Sequence, residues 1–313
     1  MRIPSDIHQL HKLATHNSYI MASTILVTGA TGTIGTELVK ALANRGVTVR
    51  AGVHSIIKGD RLKHLNPDVQ LVEIDYHKPE TLAVALTGAE RVFLLPPPTS
   101  DQVELARLFI DAAQKAGVRQ LVQLSAAGAG RDAQIEIDRR HHEIEQLVAA
   151  SGLTYATLRP EGFMQNFVEQ HCATIRDEGK FYMPLAEAQV AYIDVRDIAA
   201  AAATLLTSDP ATHAGQAYHL TGPAALTGQQ VAEALSQGTG REVTYVPVSE
   251  EDARTAMQEL PAERVKELLA LYADYRAGHA ATVTDEVASL AGHAPHTIQQ
   301  FANDYKAQFQ PED

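Results

Sequence analysis

The sequence predicts an α/β fold: a doubly wound parallel sheet followed by a smaller C-terminal α/β part. Three observations carry this. Short apolar runs alternate with longer helical patterns through the first half of the chain, as expected of βαβ units. A glycine-rich turn joins the first apolar run to the first helical pattern. After residue 159 the alternation becomes irregular, which suits a part that covers the open edge of the sheet and shapes a pocket.

Taken in order, residues 24–28 (TILVT) form the first buried strand. Residues 33–44 form a helix, with Ile34, Leu38, Val39 and Leu42 at helical spacing and Gly46 as its stop. Residues 47–53 and 69–74 are the next two strands. Residues 79–86 form a helix opened by Pro79, a good first-turn residue. Residues 91–95 (RVFLL) are the fourth strand, closed by three prolines. A helix over 101–116 ends at Gly117, residues 120–124 are the fifth strand, a helix over 139–150 ends near Gly152, and 154–158 are the sixth strand. The second half predicts one strand at 216–220 and helices at 227–236, 250–257, 262–276 and 297–309. Right-handed crossovers turn this order into a doubly wound sheet.

Composition narrows the function classes. The 313 residues carry a formal net charge of −12, which argues against nonspecific binding to nucleic acid. The lone cysteine, Cys172, excludes an intrachain disulfide and fits a reducing cytoplasm. No apolar run approaches the roughly 20 residues that a membrane-spanning helix requires. Residues 1–22 are polar, lack an apolar signal core, and are expected to be a disordered extension before Ser23.

The turn reads Thr28-Gly29-Ala30-Thr31-Gly32-Thr33-Ile34-Gly35. Placed between a strand and a helix, it predicts a Rossmann-like dinucleotide site over residues 23–159, with 160–313 as the substrate-pocket part, some of whose segments return to the core. Gly29 permits the tight turn, Gly32 lets backbone approach a pyrophosphate, and Gly35 lets helix pack on strand. Thr31, Thr33 and Ile34 complete the cradle, since the free N–H groups of the helix start face the phosphates. An NAD site places an acid at the end of the second strand, about 20 residues on. Here Arg50-Ala51-Gly52-Val53-His54-Ser55 has none, and Arg50, His54, Lys58 and Arg61 are nearby. Cationic donors suit a 2′-phosphate, so NADP(H) is expected over NAD(H). Asp75 either accepts a hydrogen bond from the adenine amine or caps a helix.

The turn resembles that of the short-chain dehydrogenase/reductase superfamily. Further segments narrow the resemblance: Leu94-Leu95-Pro96-Pro97-Pro98, Ser151-Gly152-Leu153-Thr154-Tyr155, Leu158-Arg159-Pro160-Glu161-Gly162-Phe163-Met164-Gln165-Asn166, Tyr192-Ile193-Asp194-Val195-Arg196-Asp197-Ile198-Ala199 and Leu220-Thr221-Gly222-Pro223. In order and spacing these resemble the atypical NmrA-like group over residues 23–309. That group includes NADPH quinone reductases, triphenylmethane-type dye reductases and NADP-sensing regulators. The resemblance implies that Pro96 and Pro97 shape the loop against ribose and nicotinamide. It places Phe163, Met164 and Asn166 beside the nicotinamide ring, with core packing as the alternative for Phe163 and Met164.

Standard members of the superfamily use Tyr-x-x-x-Lys as acid and base. Counting back from Glu145 puts His141 at the Lys position and Ile137 at the Tyr position, and isoleucine moves no proton. His141 is then the candidate helper, titrating near neutrality, with Glu145 one turn on to orient it. Ser125 falls at the superfamily's catalytic-serine position, with a turn-forming serine as the alternative. His141 and His142 point about 100° apart on a helix, so no metal site is expected with Glu145. The resulting expectation is a cytoplasmic NADPH-dependent reductase passing hydride to a quinone or similar conjugated apolar acceptor. The rival is an NADP(H)-binding redox sensor without turnover. A homodimer and a regulatory protein partner both stay open.

Overall fold

The computed structural model describes residues 23–130 and 132–311, so the expectation for residues 1–22 lies outside the described residues. In chain order the elements are β1 (Thr24–Val27), α1 (Thr33–Ala41), β2 (Thr48–Val53), α2 (Ile56–Gly59), β3 (Gln70–Glu73), α3 (Pro79–Leu86), β4 (Arg91–Leu94), α4 (Gln102–Lys115), β5 (Gln120–Leu124) and α5 (Glu136–Ala150). There follow β6 (Thr154–Pro160), α6 (Asn166–Glu169), α7 (Cys172–Glu178), β7 (Lys180–Met183), α8 (Val195–Thr207), β8 (Gln216–Leu220), α9 (Gly228–Thr239) and β9 (Thr244–Pro247). The chain closes with α10 (Glu250–Ala256), α11 (Ala262–Arg276), α12 (Glu286–Ala291) and α13 (Ile298–Asp304).

Seven strands among the described residues form one parallel sheet in the order β3-β2-β1-β4-β5-β6-β8. The apolar run of β1 explains its central place, because Ile25, Leu26 and Val27 are fully buried on both faces. Ile25 and Val27 pack with Phe93, Val122 and Leu158 beneath α1 and α8. Leu26 points the other way, with Val92, Leu94 and Leu121, against α3, α4 and α5. All strands run the same way, so the carboxyl ends of β1, β4, β5, β6 and β8 share one edge. That edge is where ligands bind in open α/β sheets.

The second half contributes to this core through α8 and β8. Helix α8 was not expected, and it packs on α1 beneath the sheet. Its sequence, VRDIAAAAATLLT, is alanine-rich and buried almost all round, so it shows no clean apolar stripe. The readable signal was its cap: Asp194 accepts the Arg196 N–H at 2.9 Å. The parallel pair β7–β9 was likewise unexpected. It lies in a separate apolar cluster with Phe167, Phe181, Val231 and Tyr245. Helix α1 stops at Ala41, short of the expected end, because Asn44 turns left-handed at φ 61°. Helix α5 starts three residues earlier than expected, at Glu136, and β6 runs on to Pro160 to pair with Leu220 of β8. No helix among the described residues is long and apolar enough to cross a membrane.

Candidate active site

The turn after β1 is built from within. Thr28 Oγ1 donates to the Phe93 carbonyl at 3.1 Å and accepts the Leu95 N–H at 2.8 Å, stitching the ends of β1 and β4 together. Gly29 adopts φ +60°, a conformation that favours glycine, and Leu95 packs against it. A Cβ on Gly35 would lie 2.1 Å from the Gly29 carbonyl oxygen, so α1 can sit this close only with glycine there. Gly32 differs. Its N–H closes the turn onto the Gly29 carbonyl at 2.9 Å, yet a Cβ there would meet only that oxygen, at 3.3 Å. Internal packing therefore does not require glycine at 32, and the space outside it is open to a ligand.

Gly32 also caps α1 without a side-chain bond, and the first turn of α1 carries no acid. The N–H groups of that turn are left for an anion, at the positive end of the helix dipole. One carboxylate already reaches this end: Thr33 Oγ1 donates to Glu169 Oε1 of α6 at 2.6 Å. An open cradle at Gly32 and an uncapped helix start fit a pyrophosphate. Ile34 is buried and anchors the turn in the core, while the Thr31 carbonyl accepts from the Arg61 guanidinium at 2.5 Å.

Beyond β2, His54 and Lys58 are exposed, and Lys58 has no partner among the described residues. Arg50 does not join them. Its guanidinium donates to the Ala85 and Thr87 carbonyls at 2.8 and 2.7 Å, closing the end of α3. Arg61 takes the place beside the turn. Asp75 caps no helix: Oδ1 accepts the His77 N–H at 3.0 Å in the turn before α3 and Oδ2 pairs with Lys78 at 3.1 Å, while Lys78 takes the N-cap position of α3 without a side-chain capping bond. Those bonds, Lys78 first, hold its carboxyl below the ordinary range.

On the apolar side of the edge, Pro96 is buried and Pro97 half-buried after β4. Phe163 is half-buried where the chain leaves β6, bridging to Ile193, and half-buried Asn166 opens α6. Met164 is a correction. Its N–H bonds the Ile193 carbonyl at 2.9 Å, and its side chain turns away from Phe163 into a core with Phe167 and Tyr192, fully buried. It lines no pocket surface.

The acid/base expectations also change. Ser125 Oγ donates to Glu145 Oε1 at 2.5 Å, and Arg159 clamps both oxygens of the same carboxylate, with Nε at 2.9 Å. Ser125 is thus tied into a buried link between the β5 loop, α5 and β6. Glu145 is committed to this link and does not orient His141. The His141 ring is buried, its Nδ1 has no partner among the described residues, and burial drives its pKa down to about 4 despite the Glu145 charge. It stays neutral where the sequence predicted titration near neutrality.

A different acid comes into view on the same helix. Asp138 is 5% exposed, and burial, with the Asp274 and Glu161 charges, pushes its carboxyl up to about 7. It lies against Gly128, in the loop after β5, where a Cβ would stand 2.0 Å from Asp138 Oδ2. Glu161, just beyond β6, contacts His219 Nε2 at 2.9 Å. The Tyr275 hydroxyl of α11 comes within 2.8 Å of the Cβ position on Gly162, and the Tyr192 ring lies 3.3 Å from it. One signal was available in the sequence: Asp138, His141 and Glu145 put three polar groups on the buried stripe of α5. Nothing local marks Tyr275.

Asp197, His293 and His296 present ligand-type atoms within 4.8 Å of one another. Both Asp197 oxygens are occupied by His296, through its N–H at 2.8 Å and its Nδ1 at 2.6 Å, so the group ties the segment before α13 to α8.

The model of the NmrA-like family matches residues 21–302. The chain belongs to the NmrA-like family. An NAD(P)H azoreductase of Xenophilus azovorans is 40% identical over 291 residues, 91% of this chain and 99% of that protein. The NADPH-dependent quinone oxidoreductase of Escherichia coli, solved with NADPH, superposes with a TM-score of 0.78 at 26% identity, covering 90% of this chain and 99% of that one. The triphenylmethane reductase of Citrobacter sp. shares the fold, with a TM-score of 0.80 at 23% identity over 91% of this NmrA-like chain and 99% of its own.

Proposed function

We propose that this chain is an NADPH-dependent reductase of electron-poor conjugated acceptors, azo compounds and quinones foremost. The observation that carries the reading is the uncapped start of α1 above an open Gly32, on the same sheet edge as Pro96, Pro97 and Phe163. The similarity to an NAD(P)H azoreductase over nearly the whole chain supports it. NADPH, when bound, supplies the hydride. Gly29, Thr31, Gly32, Thr33, Ile34 and Gly35 form the pyrophosphate cradle. His54, Lys58 and Arg61 supply positive charge to the 2′-phosphate. Pro96, Pro97 and Phe163 form the apolar wall that excludes water, and Asn166 is a polar contact at its margin. Ser125 acts through Glu145 and Arg159, fixing the loop after β5 rather than moving a proton. Residues 23–159 bind the cofactor, and residues 160–313 close the pocket.

The test is oxidation of NADPH by a panel of azo dyes and quinones, against a Gly32→Asp control. The reading predicts turnover at least tenfold above the control. Tight, redox-selective cofactor binding with no turnover above the control would replace it with the sensor reading.

A further inference from the structure

The buried face of α5 holds a carboxyl group that the cofactor site does not use. Asp138 is 5% exposed, accepts no hydrogen bond from any described residue, and lies against the backbone of Gly128. The carboxyl has room only because residue 128 lacks a side chain. Gly128 follows β5 and Gly162 follows β6, so both belong to the ligand-binding edge. A second polar group there has no partner among the described residues: the Tyr192 hydroxyl, on a residue 5% exposed whose ring lies against Gly162.

We propose that Asp138 is the catalytic acid of this pocket, donating its carboxyl proton to the atom that becomes basic when the acceptor receives hydride. This rests on the reductase reading above. In an azo acceptor, hydride adds to one nitrogen, the N=N π pair moves to the other, and that nitrogen takes the Asp138 proton. The sum is NADPH + H⁺ + R–N=N–R′ → NADP⁺ + R–NH–NH–R′, and the carboxylate regains its proton from water. A quinone needs the same proton on its oxygen. A cationic triarylmethane dye needs none, because hydride on its central carbon gives a neutral product directly.

The surroundings keep the acid protonated near neutral pH. Burial is the main cause, followed by the charges of Asp274 on α11 and Glu161 beyond β6. Asp274 is itself held by His279 at 2.7 Å, and Glu161 by His219. On α5, His141 is neutral and Arg140 is turned to Glu267 of α11. From α11 the Tyr275 hydroxyl faces the same space, and burial above all raises its proton affinity, followed by Tyr192 and Glu161.

Asp138→Asn is nearly isosteric and removes the proton. The experiment compares azo reduction with cationic-dye reduction in the full-length protein, across pH. In the wild type, azo reduction falls as pH rises past neutrality while dye reduction does not. The variant is expected to lower the azo-to-dye rate ratio at least tenfold and to lose this pH dependence; general acids contribute typically about 10²–10⁴-fold. A ratio within twofold of wild type overturns the proposal, including when both rates fall together. A second readout needs no turnover: infrared titration of the free protein should show a protonated carboxylic acid band that disappears near neutral pH and is missing in Asp138→Asn. An unchanged band in the variant also overturns it. Gly128→Ala, which displaces the carboxyl, should lower the same ratio. If the wild type reduces neither acceptor, the reductase reading fails, while the infrared titration still reports separately on Asp138.

Discussion

The two halves of the ligand-binding edge are built in different ways. The β1–α1 half is mostly local: eight consecutive residues, Thr28 to Gly35, make the turn, bonded to one another, to β4, to Gly52 of β2 and to Arg61, with Thr33 reaching further along the chain to Glu169 of α6. The β5–β6 half is assembled from α5, β6, β8 and α11, so that Asp138, Glu161, His219 and Tyr275 meet from across the chain. The first half presents backbone N–H groups at an uncapped helix start, with glycine at 29 and 35 to let the turn and helix pack. The second gathers buried titratable side chains and needs distant packing to do so. Changes in one half should therefore leave the other half's property standing.

The largest expected effect is on the cradle. Gly32→Asp puts a carboxylate where the phosphates are to sit, and NADPH affinity should fall at least about 100-fold, near 3 kcal/mol. Asp is also a good helix N-cap, so the unfolding midpoint of the free protein should not fall. Calorimetric titration and thermal unfolding check the pair of outcomes. Next comes His141. Its folded pKa of about 4 lies below the unfolded value near 6.5, so the stability it contributes is present above about pH 6.5 and lost as pH falls toward 4. The loss through this group is about 2–3 kcal/mol, and urea unfolding of His141→Gln against wild type across that window should remove it. Asp138 has a raised pKa and works with the opposite sign as pH rises from about 4 to 7, so only the difference between the two proteins isolates the histidine.

Arg159→Leu leaves Glu145 buried with only Ser125 to bond. It should cost about 2 kcal/mol in urea unfolding, reduced from the fully buried case because Arg159 is partly exposed, with NADPH affinity within twofold of wild type. Lys58→Ser with Arg61→Ser should erode the preference for NADPH over NADH about tenfold, or 1.4 kcal/mol, in kcat/KM. Glu169→Gln is the smallest change. Removing the carboxylate from the start of α1 should tighten NADPH binding about twofold, or 0.4 kcal/mol, by titration.

Legibility followed the same division. The parallel sheet of the first half and the turn could be read from the sequence because strand runs, caps and glycines act over a few residues. Arg50 misled, since its position within β2 says nothing of the carbonyls at the end of α3 that it reaches. His141 misled because burial, which sequence spacing does not report, sets its charge. Met164 and Phe163 are neighbours with opposite fates, decided by the bridge to Ile193. Helix α8 was hidden by its alanines, and Tyr275 by its distance along the chain.

The most direct test of the central claim is a single-turnover measurement of NADPH oxidation by an azo acceptor, with cofactor deuterated on either face of nicotinamide C4. The account predicts oxidation slowed by deuterium on one face alone, and lost in Gly32→Asp at equal folded concentration. Oxidation with no isotope effect on either face, or at the same rate in Gly32→Asp, would contradict it.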